Sequence, residues 1–213
     1  MIKTIIFDLD GTLIDSEGDL ARAVNHALKA IGEPRQPQAR ITSFIGNGLR
    51  FLLINVLGPG KENLFPQARV AFNEYYLAHC TDKTKLYPGV LDFLKKYSPK
   101  LKMAIVTNKP QVFAEKIAED LGIDRYFSLI SGGDSFPKGK PHPQPLLEAL
   151  AKMGGKPETS LMVGDGPQDL EAGKAAGIKT CVVRYGFGFK ESLIELIPDF
   201  VIDQFKELEN IVP

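Results

Sequence analysis

A short apolar run that ends in two carboxylates places the strongest constraint on how this chain folds. The run IIFDLDGTLIDS at residues 5–16 opens with three apolar residues, which is typical of a buried strand, and Gly11 and Thr12 then turn the chain. Asp8 and Asp10 lie between strand and turn. Two carboxylates this close repel unless a cation neutralises them or one holds a proton. The pattern predicts a chemical site, with Asp8 as nucleophile and Asp10 as general acid and base.

The composition is that of a globular protein without a large charged surface. The 213 residues include 26 basic and 26 acidic side chains, a balance that argues against a nucleic-acid surface or a polybasic membrane anchor. No apolar run approaches the roughly 20 residues that cross a membrane, and the first apolar stretch is too short for a signal peptide. We therefore expect a cytoplasmic protein, monomer or homodimer, that binds neither nucleic acid nor membrane.

Apolar strands alternate with helical patterns through the second half of the chain. The strands predicted after the first one are residues 101–107, 127–131, 160–164, 178–184 and 200–202. The helices predicted between them are residues 88–97, 110–121, 145–153 and 167–176, and Asn108 is expected to cap the second of these. Continuous apolar strands that alternate with helices indicate an α/β fold with a doubly wound parallel sheet, covered on both faces.

Residues 16–82 interrupt this alternation. They contain no convincing strand, and apolar residues recur at helical spacing over residues 20–31, 49–57 and 64–79. We expect this segment to form an inserted helical cap domain, while residues 1–15 and 83–213 form the core domain. The hinges between the two are predicted near residues 15–18 and 83–88.

Polar residues follow four predicted strands, and the carboxyl ends of parallel strands open on one edge of a sheet. Asp8 follows the first strand, Thr107 ends the second, Lys140 follows the third, and Asp165 with Asp169 follows the fourth. With Asp10, four acids would then face one lysine. Such an excess of carboxylates favours a divalent cation with oxygen ligands, and Mg²⁺ fits best because it also accepts phosphate and water.

The remaining polar residues at this edge suit phosphate binding. The Thr107 hydroxyl and the Asn108 amide would hold a phosphate oxygen near a helix amino terminus. Lys138 and Lys140 compete for the cationic role, and we favour Lys140 because the prolines that follow it stiffen its loop. Taken alone, each feature has a structural alternative: Asp169 suits the first turn of a helix, and Thr107 is a good strand former.

The spacing of these residues resembles the haloacid dehalogenase superfamily of phosphotransferases. Asp8 to Thr12 match its DxDGT motif, and Thr107, Lys140 and Asp165 with Asp169 match its later motifs in the same order. Within the superfamily the chain is most similar to the phosphoglycolate phosphatases, on the segments FIGNGL, VTNKP, GGDSFPKGKPHPQPL and DFVIDQFKEL. One departure is Gly166, where relatives usually carry serine or threonine.

The resemblance implies a Rossmann-like core and a magnesium-dependent phosphomonoester hydrolase that forms an aspartyl-phosphate on Asp8. Asp10 would protonate the leaving group and then activate water. The metal would be held by Asp8, the Asp10 carbonyl and Asp165, with Asp169 acting through water. The substrate would be a small phosphorylated metabolite, with 2-phosphoglycolate as the first choice. Pyrophosphate, a sugar phosphate, a phosphomutase reaction like that of β-phosphoglucomutase and a catalytically dead binding protein are the alternatives.

The cap is expected to set specificity. Gly46 and Asn47 belong to a candidate specificity loop between cap helices, although an ordinary helix–helix turn explains them equally well. Arg50 would bind a substrate carboxylate, against the simpler interpretation of a solvated helix position.

Overall fold

A six-stranded parallel sheet forms the centre of the computed structural model, which describes residues 1–212. In chain order the strands are β1 (Thr4–Phe7), β2 (Ile14–Asp15), β3 (Lys85–Leu86), β4 (Lys102–Val106), β5 (Leu129–Ser131), β6 (Ser160–Gly164), β7 (Lys179–Val183) and β8 (Phe200–Ile202). The α-helices are α1 (Glu17–Ala30), α2 (Gln38–Thr42), α3 (Gly48–Leu57), α4 (Phe65–His79), α5 (Val90–Tyr97), α6 (Gln111–Asp120), α7 (Gln144–Met153) and α8 (Pro167–Ala175).

The strand order β5-β4-β1-β6-β7-β8 places the first strand near the middle of the sheet. β1 pairs in parallel with β4 and β6, so that Ile5 lies opposite Met103 and Leu161. Successive side chains of a strand point to opposite faces. Ile5 accordingly packs with residues of α5 and α6, and Ile6 packs with residues of α7 and α8. The predicted doubly wound parallel sheet, with both faces covered, is confirmed.

The helical segment lies between the first strand and the rest of the sheet. Residues 16–82 carry α1 to α4 and no strand, as predicted. The two chain segments that lead into and out of this block pair as the short antiparallel strands β2 and β3, with Ile14 opposite Leu86. This pairing lies at the hinges predicted from the sequence. The division into a core domain and a cap domain stays a prediction.

Some local elements differ from the sequence-based expectations. The five-residue helix α2 was not predicted, because it is too short to show helical periodicity. The prediction that Asn108 caps the following helix is wrong: the cap position is Pro110, and the first helical N–H, that of Gln111, donates to Asp134 Oδ1 at 2.7 Å. The Asn108 side chain instead bonds to backbone atoms of Gly46 and Lys140.

None of the helices within residues 1–212 combines the length and the apolar character that a membrane crossing requires.

Gly173 shows how closely α8 packs on the sheet, and it yields a test of the fold. A Cβ placed on Gly173 would lie 2.6 Å from Thr180 Cγ2, in β7, and 3.3 Å from Met162 Cβ, in β6. Gly173→Ala should therefore destabilise the protein by roughly 1–3 kcal/mol through overpacking. Urea denaturation of the purified variant measures this change.

Gly18→Ala is the matched control, because this glycine also lies in a helix and a Cβ there would meet only the Lys83 side chain, with Cδ at 3.7 Å and Cβ at 3.9 Å. In that variant the better helix propensity of alanine should stabilise the protein by up to about 1 kcal/mol. Equal and favourable effects of both substitutions would contradict the packing described for α8.

Candidate active site

Three carboxylates meet at the carboxyl edge of the sheet. Asp8 follows β1, Asp165 follows β6, and Asp169 lies in the first turn of α8. Each is buried, and carboxylate oxygens of the three lie within 4.8 Å of one another. The parallel topology brings together residues that are more than 150 positions apart, as the sequence predicted.

Lys140 inserts a positive charge into this cluster. Its Nζ donates to Asp169 Oδ1 at 2.6 Å and lies 3.0 Å from Asp8 Oδ1. The lysine is as deeply buried as the acids, whereas Lys138 is exposed and lies beside His142. The structure therefore places Lys140, the lysine favoured from the sequence, against the acidic cluster.

Asp165 lies in a tight backbone cradle. Its Oδ1 accepts from the Thr12 hydroxyl at 3.3 Å, and its Oδ2 accepts from the Gly188 N–H at 2.7 Å. Gly11, at φ +80°, passes so close that a Cβ there would lie 2.1 Å from Asp165 Oδ2. Position 11 requires glycine for two reasons: its backbone is left-handed, and the Asp165 carboxylate lies where a side chain would begin.

The charge balance of the cluster is unfavourable without a further cation. Burial raises the pKa of Asp165 well above its ordinary value, and the charges of Asp8 and Asp169 raise it further. Burial also raises the pKa of Asp169, to about 6, although Lys140 opposes this shift. Burial lowers the pKa of Lys140, but Asp169 and Asp8 outweigh that effect and the net change is upward. One ammonium thus faces three carboxylates.

These donors suit a hard divalent cation. All three side chains offer oxygen atoms, which Mg²⁺ prefers. Asp8 Oδ1 has no aligned hydrogen-bond partner among residues 1–212, although Lys140 Nζ lies within ion-pair distance of it. A buried carboxylate oxygen without a hydrogen bond is costly, and a metal ion would satisfy it. Asp8, Asp165 and Asp169 fit a magnesium site, and the assignment of the metal stays a prediction.

Asp10 turns away from this cluster, as the role of general acid requires. Its two carboxylate oxygens accept from Lys109 Nζ at 2.9 and 2.8 Å, and Oδ1 also accepts from the Ser16 hydroxyl at 2.5 Å. The Asp10 side chain is not part of the three-carboxylate cluster, so a contribution to metal binding is left to its backbone carbonyl. That contribution stays a prediction.

Lys109 is the residue of this site that the sequence analysis missed. Only 3% of its side chain is exposed, and its ammonium also lies 4.9 Å from the ring centroid of Tyr76 in α4. A signal was present: Lys109 follows Thr107 by two positions at the same strand end. Burial of a lysine depends on a distant partner, and neither Asp10 nor Tyr76 is near it in sequence.

Thr107 and Asn108 lie at the carboxyl end of β4. The Thr107 hydroxyl is buried and accepts from the Lys109 N–H at 3.2 Å. The Asn108 amide group donates to the carbonyls of Gly46 and Lys140, and its oxygen accepts from the Lys140 N–H. Because these contacts occupy the Asn108 side chain, its predicted contact with phosphate is left to the backbone amide.

A small cavity separates the cap helices from the acids. Its volume is ≈ 40 Å³, and its polar wall consists of Asp8, Asp10, Thr107 and Lys109. The cap contributes an apolar roof, formed by Leu20, Ile45, Leu49, Leu52, Phe72 and Tyr76. Pockets for drug-sized ligands measure roughly 300–1,000 Å³, so this cavity suits only a small group.

The cap residues predicted to bind substrate lie in different places. Gly46 lines the cavity, and its carbonyl accepts from Asn108. Asn47 and Arg50 are exposed, and both line a wider cleft on the side of Lys140. The Arg50 guanidinium lies over the Phe65 ring, 4.8 Å from its centroid. The structure brings neither Asn47 nor Arg50 into the cavity beside Asp10, and their roles stay predictions.

Comparisons with known proteins agree with the motifs. The family model for haloacid dehalogenase-like hydrolases matches residues 5–183. A phosphoglycolate phosphatase of Aquifex aeolicus is 39% identical over 99% of this chain and 97% of its own length. One from Vibrio parahaemolyticus is 37% identical over 99% and 96%. The crystal structure of a predicted phosphoglycolate phosphatase from Haemophilus somnus superposes with a TM-score of 0.91 at 33% identity, covering 99% of this chain and 97% of that one.

The variant Asp165→Asn tests two properties of the cluster: the destabilisation caused by its excess of carboxylates, and its ability to bind a metal ion. Burial and the neighbouring carboxylates disfavour the charged form of Asp165, as its raised pKa shows. Without metal, the neutral amide should therefore raise the Tm by at least about 2 °C, the equivalent of about 1 kcal/mol at this chain length. Wild-type protein should be stabilised by about 2.7 kcal/mol at Mg²⁺ concentrations 100 times the Kd. The variant should lose most of that gain.

Thermal denaturation with and without MgCl₂ measures both effects. Asp124→Asn is the matched control, because this acid is exposed and distant in sequence from the cluster. An Asp165→Asn protein that keeps the full magnesium-dependent rise in Tm would contradict a metal site at these residues.

Proposed function

Because the chain belongs to the haloacid dehalogenase-like hydrolase family, we propose that it is a magnesium-dependent phosphatase that works through an aspartyl-phosphate on Asp8. The observation that carries the proposal is the separation of the two motif acids. Asp8 lies in the buried cluster with Lys140, while Asp10 pairs with Lys109 beside the cavity. Two carboxylates in different environments are what a nucleophile and an acid–base group require.

Asp8 is the nucleophile in this scheme. Its carboxylate lines the cavity and attacks the phosphorus, the bond to the leaving oxygen breaks, and the phosphoryl group is transferred to Asp8. The Lys140 ammonium, 3.0 Å from Asp8, offsets negative charge on the carboxylate and on the phosphoryl oxygens. The Thr107 hydroxyl, on the same cavity wall, holds a phosphoryl oxygen.

Asp10 moves the protons. Its carboxyl group gives a proton to the departing alkoxide and then takes one from the water that hydrolyses the aspartyl-phosphate. Lys109 and Ser16 hold the side chain at the cavity, away from the cluster formed by the other acids. The roof of apolar cap residues excludes bulk water while the phosphoryl group is transferred.

Asp8, Asp165 and Asp169 would hold the magnesium ion, together with the backbone carbonyl of Asp10. When bound, the ion withdraws charge from the transferring phosphoryl group. Gly166 follows Asp165 and provides no hydroxyl, but its N–H donates to Asp169 Oδ2 at 3.1 Å and thereby orients that carboxylate.

The substrate we propose is 2-phosphoglycolate. The similar proteins from Aquifex aeolicus and Vibrio parahaemolyticus carry the name phosphoglycolate phosphatase, and a cavity of ≈ 40 Å³ suits a two-carbon leaving group. A sugar leaving group needs more space than this cavity offers and would have to extend into the wider cleft beside Lys140, so a sugar phosphate and a phosphomutase reaction are less favoured. Pyrophosphate is the other small candidate. The intact acids and Lys140 argue against a catalytically dead protein.

Phosphate release from a panel of phosphorylated metabolites tests the proposal. The purified protein should hydrolyse 2-phosphoglycolate faster than pyrophosphate or glucose phosphates, and only with Mg²⁺. Asp8→Asn should abolish turnover, because an amide is not a nucleophile for phosphorus. Asp15→Asn, a change of the same kind in the half-exposed hinge, should keep activity. Mass spectrometry of the Asp8→Asn protein excludes deamidation back to aspartate. Turnover by intact Asp8→Asn protein would refute the covalent scheme. Faster hydrolysis of pyrophosphate than of 2-phosphoglycolate would refute the proposed substrate.

Asp10→Asn should slow phosphoryl transfer by roughly a hundredfold on an alkyl phosphate. The loss should depend on the leaving group, since a more acidic alcohol departs with less help from a proton donor. We expect kcat/KM to fall much more for ethyl phosphate than for 2,2,2-trifluoroethyl phosphate, which has nearly the same size. An equal loss on both esters would show that Asp10 has another role.

A further inference from the structure

The cavity beside Asp10 contains a buried polar group whose presence the proposed function does not explain. Tyr76 of α4 lines the roof and is fully buried. Its Oη has no hydrogen-bond partner among residues 1–212. A buried hydroxyl without a partner is destabilising, and a polar atom of a bound ligand would satisfy it.

Aromatic packing fixes the position of Tyr76. Its ring stacks on Phe72, with the centroids 5.1 Å apart, and meets the edge of Phe113 at 5.0 Å. These contacts leave the ring little freedom to turn its hydroxyl towards another partner. The ring is therefore fixed in the cavity wall, and its hydroxyl is left unpaired there.

Lys109 offers a second unused donor beside it. A lysine ammonium has three N–H groups, and the Asp10 oxygens accept two of them. The ammonium also lies 4.9 Å from the centroid of the Tyr76 ring, so lysine and tyrosine are neighbours. Among the side chains that line this cavity, Lys109 supplies the positive charge.

We infer that Lys109 and Tyr76 form a subsite that recognises a carboxylate on the leaving group of the substrate. Two unused donors, one of them charged, match the two oxygens of a carboxylate. The inference rests on the proposed function, because Asp10 on the same cavity wall marks the side from which the leaving group departs. The subsite selects small phosphomonoesters that carry an acid, and it disfavours neutral leaving groups of equal size.

This subsite differs from the carboxylate site predicted from the sequence, which was based on Arg50. Arg50 lines the wider cleft beside Lys140, where its guanidinium packs on the Phe65 ring. A carboxylate only two carbons from the phosphoryl group stays close to Asp10. In this arrangement the cavity, and not the outer cleft, receives that carboxylate.

Binding measurements test the subsite without any requirement for turnover. The ligands are 3-phosphonopropionate, which replaces the ester oxygen of phosphoglycolate by a methylene group, and propylphosphonate, which lacks the carboxylate. Calorimetry with Mg²⁺ should give the wild-type protein at least a tenfold preference for the acid. Tyr76→Phe, which keeps the ring, should lose most of that preference, and so should Lys109→Met. Tyr75→Phe is the matched control, because that hydroxyl pairs with Arg22 outside the cavity.

The outcomes are distinct. An unchanged preference in Tyr76→Phe and Lys109→Met would overturn the subsite, and so would a preference that disappears in Arg50→Ala but survives in Tyr76→Phe. A wild-type preference that both cavity variants lose supports the subsite even if the protein hydrolyses no phosphoglycolate. In that case the proposed function fails while the recognition of the acid stands.

Discussion

The contact of one buried lysine with two buried carboxylates holds the site together. Lys140 reaches Asp8 after β1 and Asp169 at the start of α8, so its ammonium joins three separate parts of the chain. Removing the Lys140 charge would leave both carboxylates buried without compensation, which costs far more than a surface ion pair contributes. Asp165 adds a third carboxylate, and burial together with the charges of Asp8 and Asp169 raises the pKa of that residue. The architecture therefore favours a bound cation before any reaction takes place.

The second constraint is the separation of two acids that are neighbours in sequence. Asp8 and Asp10 would share a face if β1 continued, because side chains two positions apart point the same way in a strand. The strand ends at Phe7, and the turn at Gly11 lets the two side chains diverge. Asp8 then lies with Lys140, and Asp10 lies with Lys109. Each acid thus contacts a different ammonium, and two neighbours in sequence face different parts of the site.

The sequence predicted those parts of the molecule whose signals are local. The sheet strands and long helices appear as apolar runs and helical periodicity, and the acids follow their strands directly, so Asp8, Asp165 and Asp169 were found together. Features that depend on distant partners were missed. β2 and β3 have two residues each and exist only because they pair across the helical segment. Asparagine is a residue type that often caps helices, but contacts with Gly46 and Lys140 determine the position of the Asn108 side chain. Lys109 is buried only because Asp10 and the cap surround it.

Asn108 also links the helical segment of residues 16–82 to the carboxyl edge of the sheet. Its amide group donates both to the carbonyl of Gly46, in the cap loop, and to the carbonyl of Lys140, while its oxygen accepts from the Lys140 N–H. The Asn108 side chain thus fixes the loop that carries Lys140. It also contacts the loop at Gly46, which lines the cavity. Opening the cap would break the bond to Gly46 and leave the two bonds to Lys140 in place. If the helical segment moved away to admit substrate, the two bonds to Asn108 would therefore still hold the Lys140 backbone in place.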